Sequence, residues 1–300
     1  MKMNLKILTL PMLNKPMNQL LFLIFLMFIG TESFTQNSNS SNLNISILVD
    51  LSDRISTTVH PNPSMEYYDR DIGYIKTIAQ AFTDHVSKKR VPTINDRMQV
   101  FFEPPPENSR INSLANKLKI HLTRNNITQE VLFGIDSLYV TTFDTIYSMV
   151  TSQDSYFGSD IWRFFTSRVK DNCIKSDYRN ILIVITDGYI YHQNNRINDE
   201  NKFSYFTAKT INTMGLSTSE WKKVIEEKKY GLIVQNTDLE NLDVLVLGVN
   251  PDPGNPYSED IIKFFWSDWL NAMGVEKMKI KTAELPINLE EVVKEFILNN

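Results

Sequence analysis

Ile45-Ser46-Ile47-Leu48-Val49-Asp50-Leu51-Ser52-Asp53-Arg54 is an apolar run of strand length that stops on an aspartate and opens into polar, turn-forming residues. The same device recurs at Ile181-Leu182-Ile183-Val184-Ile185-Thr186-Asp187-Gly188. A continuous apolar run, as opposed to an alternating one, marks a strand buried on both faces, as in a parallel sheet. Asp50 and Asp187 are therefore expected together at the carboxyl ends of central strands, the edge where open α/β sheets hold their ligands. Two carboxylates and a serine hydroxyl converging there are hard oxygen donors, suited to Mg²⁺, Ca²⁺ or Mn²⁺.

Outward from these two runs the chain alternates strand and helix signals. A helical pattern from about Met65 to Lys88 sets Ile72, Ile75, Ile78, Ala79 and Phe82 on one face. Arg97 to Phe102 reads as a strand stopped by Pro104-Pro105-Pro106, and helical stretches are expected at about Ser109 to Thr123, Val131 to Val150 and Gly158 to Val169. After the second apolar run come a short helix at Ser219 to Lys229, with Ser217, Thr218 or Ser219 as N-cap, and a third apolar strand, Asp243 to Val249. Tyr257 to Met273 (helix), Lys277 to Lys281 (strand) and Leu289 to Leu298 (helix) close the chain. Such alternation predicts an α/β fold with a doubly wound, mostly parallel central sheet and helices on both faces, Rossmann-like in type. Gln193 to about Thr218 is long and polar for a connection and is expected to carry extra short structure or a functional loop. Phe264-Phe265-Trp266-Ser267-Asp268-Trp269-Leu270 is read as a helix packing its aromatics on the sheet, and Tyr189-Ile190-Tyr191-His192 as the rim of the Asp187 edge.

Composition narrows the function classes. The 300 residues are 42% hydrophobic, enough for a large core, and the formal net charge of -4 without a long basic run argues against nucleic-acid binding. His60, His85, His121 and His192 are scattered without ligand spacing, which argues against an imidazole metal centre. No P-loop, Gly-x-Gly-x-x-Gly or Gly-x-Ser-x-Gly occurs. At the N-terminus, Lys2, Lys6 and Lys15 precede the Leu/Phe/Ile/Met run from Leu20 to Ile29, which has the length of a signal-peptide core and is short for a membrane-crossing helix. Residues 1–35 are thus expected to be a cleaved signal, 36–43 a polar linker and 44–300 a single domain, in a protein exported to the periplasm or secreted, with no membrane attachment after cleavage. The only cysteine, Cys173, excludes an internal disulfide.

Apolar strand with Asp-x-Ser, then a Gly-Ser loop, then apolar strand ending Thr-Asp-Gly resembles a von Willebrand factor type A domain over about residues 44 to 298. The resemblance implies a metal ion-dependent adhesion site. Carried over position by position, Asp50 and Ser52 fill the first two places of its Asp-x-Ser-x-Ser turn, Ser159 stands for its distant threonine, and Asp187 fills the last place. The third place of the turn holds Arg54 where the family has serine. The resemblance implies Mg²⁺ (or Ca²⁺ or Mn²⁺) bound by Asp50, Ser52, Ser159 and Asp187, and a protein or peptide partner whose carboxylate completes the metal's shell. Arg54 brings a guanidinium whose charge opposes a cation and which can pair with Asp50, Asp53 or Asp187 in the metal's stead. A binding module, not an enzyme, is the expectation. The alternatives are a metal-free scaffold with Arg54 in place of the cation, and a Mg²⁺-dependent phosphoryl-transfer or hydrolytic enzyme with Asp50 as nucleophile or ligand. The enzyme reading is weakened because such folds place a second carboxylate two residues after the first, where this chain has Ser52.

Overall fold

The computed structural model describes residues 41–152, 156 and 158–299. The expected signal segment, with its Leu20 to Ile29 run, and linker residues 36–40 lie outside the described residues. Strand β1 (Asn42–Val49) is followed by helix α1 (Tyr67–Ser87), β2 (Asn95–Phe101), α2 (Ser109–Lys117), β3 (Ile120–Thr123), α3 (Gln129–Phe133), α4 (Ile135–Ser152), α5 (Ile161–Ser167), α6 (Val169–Cys173) and β4 (Tyr178–Ile185). A small insertion carries β5 (Asn198–Asp199), β6 (Lys202–Phe203), α7 (Ala208–Thr213), α8 (Trp221–Lys228) and β7 (Gly231–Leu232). The chain then completes the fold with β8 (Leu242–Val249), α9 (Ser258–Ala272), β9 (Met278–Thr282) and α10 (Pro286–Leu298).

The main sheet has six strands in the order β3-β2-β1-β4-β8-β9, parallel except for β3, which pairs antiparallel with β2. The three apolar runs are thus the adjacent strands β1, β4 and β8. Their alternation is read by the two faces of the sheet. Ile45, Ile47, Val49, Ile181, Ile183 and Ile185 pack with α1, α4 and α10, while Leu48, Leu182, Val184, Val244 and Val246 pack with α5, α9 and the insertion. Apolar residues are needed on both sides because helices cover both, which is why the runs do not alternate in polarity. Trp266 and Trp269 of α9 are buried in the second of these layers, as the aromatic stretch predicted. Among the described residues no helix is long and apolar enough to cross a membrane.

Several boundaries differ from the sequence reading. β1 starts at Asn42, so positions 42 and 43 of the expected linker belong to the sheet: Leu43 is buried and its N–H donates to Asp96 Oδ1 (2.8 Å). The helix expected through Thr123 stops at Lys117, and Ile120–Thr123 pairs with β2, burying Leu122. The helix expected from Gly158 begins at Ile161, because Asp160 accepts the Arg163 N–H as its N-cap and leaves Gly158 (φ +71) and Ser159 outside the helix. Helix α8 is preceded by Glu220, without a side-chain cap, in place of the expected Ser or Thr.

Two glycines near the strand ends shape the edge that concerns function. Gly248 (φ +94) forms an irregularity in the β8–β9 register, after which Val249 packs with the second layer while Leu247 packs with the first. Gly188 has φ +92, and a Cβ there would lie 2.9 Å from Ile262 Cγ2 and 3.1 Å from Val249 Cγ2. Gly188→Ala is expected to lower stability by about 2 kcal/mol, combining a left-handed backbone with overpacking. Gly215→Ala is the matched control, since Gly215 (φ +74) has nothing within 4 Å of the added carbon and bears only the backbone cost. Urea unfolding of both variants checks this; equal losses would remove the packing part of the explanation.

Candidate functional site

Between β1 and β4 the strand order reverses direction, since the chain first builds β2 and β3 on one side and then returns to the other. This is the switch point at which doubly wound sheets open a crevice beyond their carboxyl ends. The Asp50 N–H donates to the Ile185 carbonyl (3.0 Å), so the two aspartates leave the sheet at one level. Asp50, Ser52, Asp53, Ser159, Asp187, Tyr189, Tyr191, Thr207 and Ala208 line one cavity of about 210 Å³. The four residues expected from sequence are therefore brought together, from β1, from the loop before α5 and from the end of β4.

Local hydrogen bonds fix each group. Asp50 is buried; its Oδ1 accepts the Ser52 N–H (2.8 Å) and its Oδ2 accepts the Thr186 hydroxyl (3.0 Å). The first bond folds the Asp-Leu-Ser turn back on itself; the second ties β1 to β4 across the crevice. Asp187 Oδ1 accepts the Tyr189 N–H (3.0 Å). Burial, and then the charge of Asp50, push the Asp187 carboxyl up to about 7, against an opposing pull from Arg54 and the Tyr189 N–H. The Ser159 segment is held by backbone bridges on both sides, Gly158 with Leu51 and Ser159 with Tyr191. Ser159 is 5% exposed, and among the described residues its Oγ has no hydrogen-bond partner. A buried hydroxyl without a partner costs about 1–3 kcal/mol, so this oxygen is an expensive one to leave empty.

Arg54 makes its shortest ion pair with a residue outside the turn motif. Its side chain is nearly buried and turns under the sheet edge, where Nη2 donates to Asp71 Oδ2 (2.6 Å). The same Asp71 oxygen accepts the Tyr147 hydroxyl (2.7 Å), joining the turn after β1 to α1 and α4. Arg54 Nε donates to the Asp50 carbonyl (3.1 Å) and lies 3.6 Å from Asp50 Oδ2. Of the three carboxylates expected to pair with it, Asp50 does so at this longer distance, whereas Asp53 and Asp187 form no ion pair with it. Burial works against the guanidinium's charge, but Asp71 and Asp50 more than restore it, so it stays protonated. Asp71 is raised by burial and pulled back by Arg54.

Asp71, Tyr147 and Thr186 are the participants that the sequence reading missed. Asp71 had a signal: it lies three and four residues before Tyr74 and Ile75, in phase with the apolar stripe of α1, where a carboxylate requires a partner. Among the described residues no three His, Cys, Asp or Glu side chains gather as a metal centre of those ligands would need. The candidate set has two carboxylates, with hydroxyls supplying the remaining oxygens, and such a donor set fits a hard divalent cation.

No family model matches the chain, and no curated protein does. Among solved structures it is similar to an aerotolerance-related membrane protein from Bacteroides fragilis carrying multiple mutations to serine, at 12% identity and a TM-score of 0.36, over 85% of this chain and 98% of that one. It is also similar to the pilus adhesin SpaC from Lactobacillus rhamnosus GG in its open conformation, at 13% identity and a TM-score of 0.41, over 86% of this chain and 30% of the adhesin.

Proposed function

We propose that the protein is an exported binding module of von Willebrand factor type A kind, which holds a protein or peptide partner through a divalent cation at this edge. Asp50, Ser52, Ser159 and Asp187 would hold the ion. When bound, the cation supplies concentrated positive charge with a coordination position left for a partner's carboxylate. The observation that carries the reading is the buried Ser159 Oγ, without a hydrogen-bond partner among the described residues, in the lining of the same cavity as both carboxylates. The Arg54–Asp71 pair supports it, because most of the guanidinium's charge is spent away from the cavity. Binding is favoured over catalysis because both oxygens of Asp50 already accept hydrogen bonds, which blunts a nucleophile.

The second reading, a metal-free scaffold with Arg54 as counter-charge, draws on the 3.6 Å approach of Arg54 Nε to Asp50 Oδ2. Calorimetric titration with Mg²⁺, Ca²⁺ and Mn²⁺ separates the two. The cation reading expects saturable binding by at least one ion, with Ser159→Ala weakening it by roughly tenfold while leaving the fold intact, as removal of one donor should. No heat and no thermal stabilisation at millimolar metal would leave the scaffold reading in its place.

A further inference from the structure

A second cavity, of about 340 Å³, opens beside the candidate cation site and shares Ser52, Asp53 and Tyr191 with it. Tyr156, Gly158, His192 and Gln193 complete its wall, with no lysine or arginine in the lining among the described residues. Asp53 is exposed, and among the described residues no cationic side chain pairs with it. Tyr191 is 45% exposed and packs edge-on against Tyr205, with ring centroids 6.2 Å apart, which steadies the ring while leaving it open to solvent. An unpaired carboxylate in a cavity that also holds the exposed ring of Tyr191 attracts a cation by charge and by the negative face of that ring. The first cavity selects the opposite sign once a metal is in place.

Resting on the binding reading above, we propose that this second cavity is a subsite for a basic side chain, so that the partner is a peptide segment presenting a carboxylate with a lysine or arginine a few residues away. Asp53 takes the ammonium or guanidinium and Tyr191 lies against it. The short helical turn after Ser52 (Asp53–Ile55) places Asp53 in the lining of both cavities, so the subsite adjoins the cation site.

The test is selection of a random peptide display library on the full chain in Mg²⁺, with elution by EDTA. The expected pool is rich in Asp or Glu with Lys or Arg nearby, and single peptides should lose about three- to tenfold in affinity when that Lys or Arg becomes Gln. Selection on Asp53→Asn should return the acidic residue without the basic one. A wild-type pool that is acidic but indifferent to basic neighbours overturns the subsite and leaves the cation reading standing. A pool with no EDTA-eluted peptides overturns both.

Discussion

Arg54→Ser is expected to cost the metal-free protein about 3–5 kcal/mol, the range for removing one partner of a buried ion pair. For a chain of this size that corresponds to a melting temperature lower by roughly 10 °C. The loss arises from what is left behind. Asp71, with a side chain 2% exposed, would keep only the Tyr147 hydroxyl, and Asp50 would lose both the nearby charge and the donor on its carbonyl. From the turn motif alone, a serine at this place appears as a gain in cation affinity, since it restores a hydroxyl ligand and removes a repelling charge. The ion pair with Asp71 sets a loss of stability beside that gain. Replacing both partners, as Arg54→Met with Asp71→Leu, should recover much of the loss, because an apolar pair of similar volume leaves no charge stranded. Thermal melts of the two single variants and the double variant decide it. A double variant as unstable as the sum of the singles would show that Arg54 and Asp71 do not act as a pair.

Asp187→Asn is expected to act on stability and on metal binding in opposite directions. Burial and Asp50 hold the folded-state value near 7, well above the ordinary 3.8, so the fold favours the neutral carboxyl. Its contribution is therefore complete below pH 3.8 and is lost as pH rises through about 7. Asparagine removes the charge and keeps an oxygen for the Tyr189 N–H, so at pH 8 the metal-free variant should be more stable than wild type by about 1–2 kcal/mol. Below pH 4 the difference should vanish. With saturating Mg²⁺ the order at pH 8 should invert, since wild type gains about 2.7 kcal/mol at a hundredfold excess over Kd and the variant gains nothing. Lower stability of Asp187→Asn at pH 8 without metal would contradict the repulsion between the two aspartates. A wild-type melting temperature unmoved by Mg²⁺ would contradict the cation.

How much of this was legible in advance depended on whether the signal was local. The apolar runs ending at Asp50, Asp187 and Val249 announce buried parallel strands because burial on both faces leaves no place for polar alternation, and these runs became the adjacent strands β1, β4 and β8. β3 was lost inside an expected helix because four residues at a sheet edge are too few to show a period. The convergence of Asp50, Ser52, Ser159 and Asp187 on one cavity followed from the motif order and the known behaviour of such sheets. The start of α5 was misplaced because the cap is a tertiary matter: Asp160 is held by the Glu103 carbonyl (2.7 Å) and by Asn195 Nδ2 (3.0 Å), neither near it in sequence.

By itself, then, the sequence determined the strand and helix alternation, the doubly wound sheet and the pair of aspartates at its carboxyl edge, because periodicity and strand-end chemistry are carried by neighbouring residues. Only the tertiary structure decided where Arg54 spends its charge. Its partner Asp71 sits on a helix that packs under the sheet, and the distance between a guanidinium and a carboxylate is set by that packing, not by their separation along the chain. The same holds for Ser159: among the described residues its buried hydroxyl has no hydrogen-bond partner, and that burial is set by the packing of the loop and not by its local sequence.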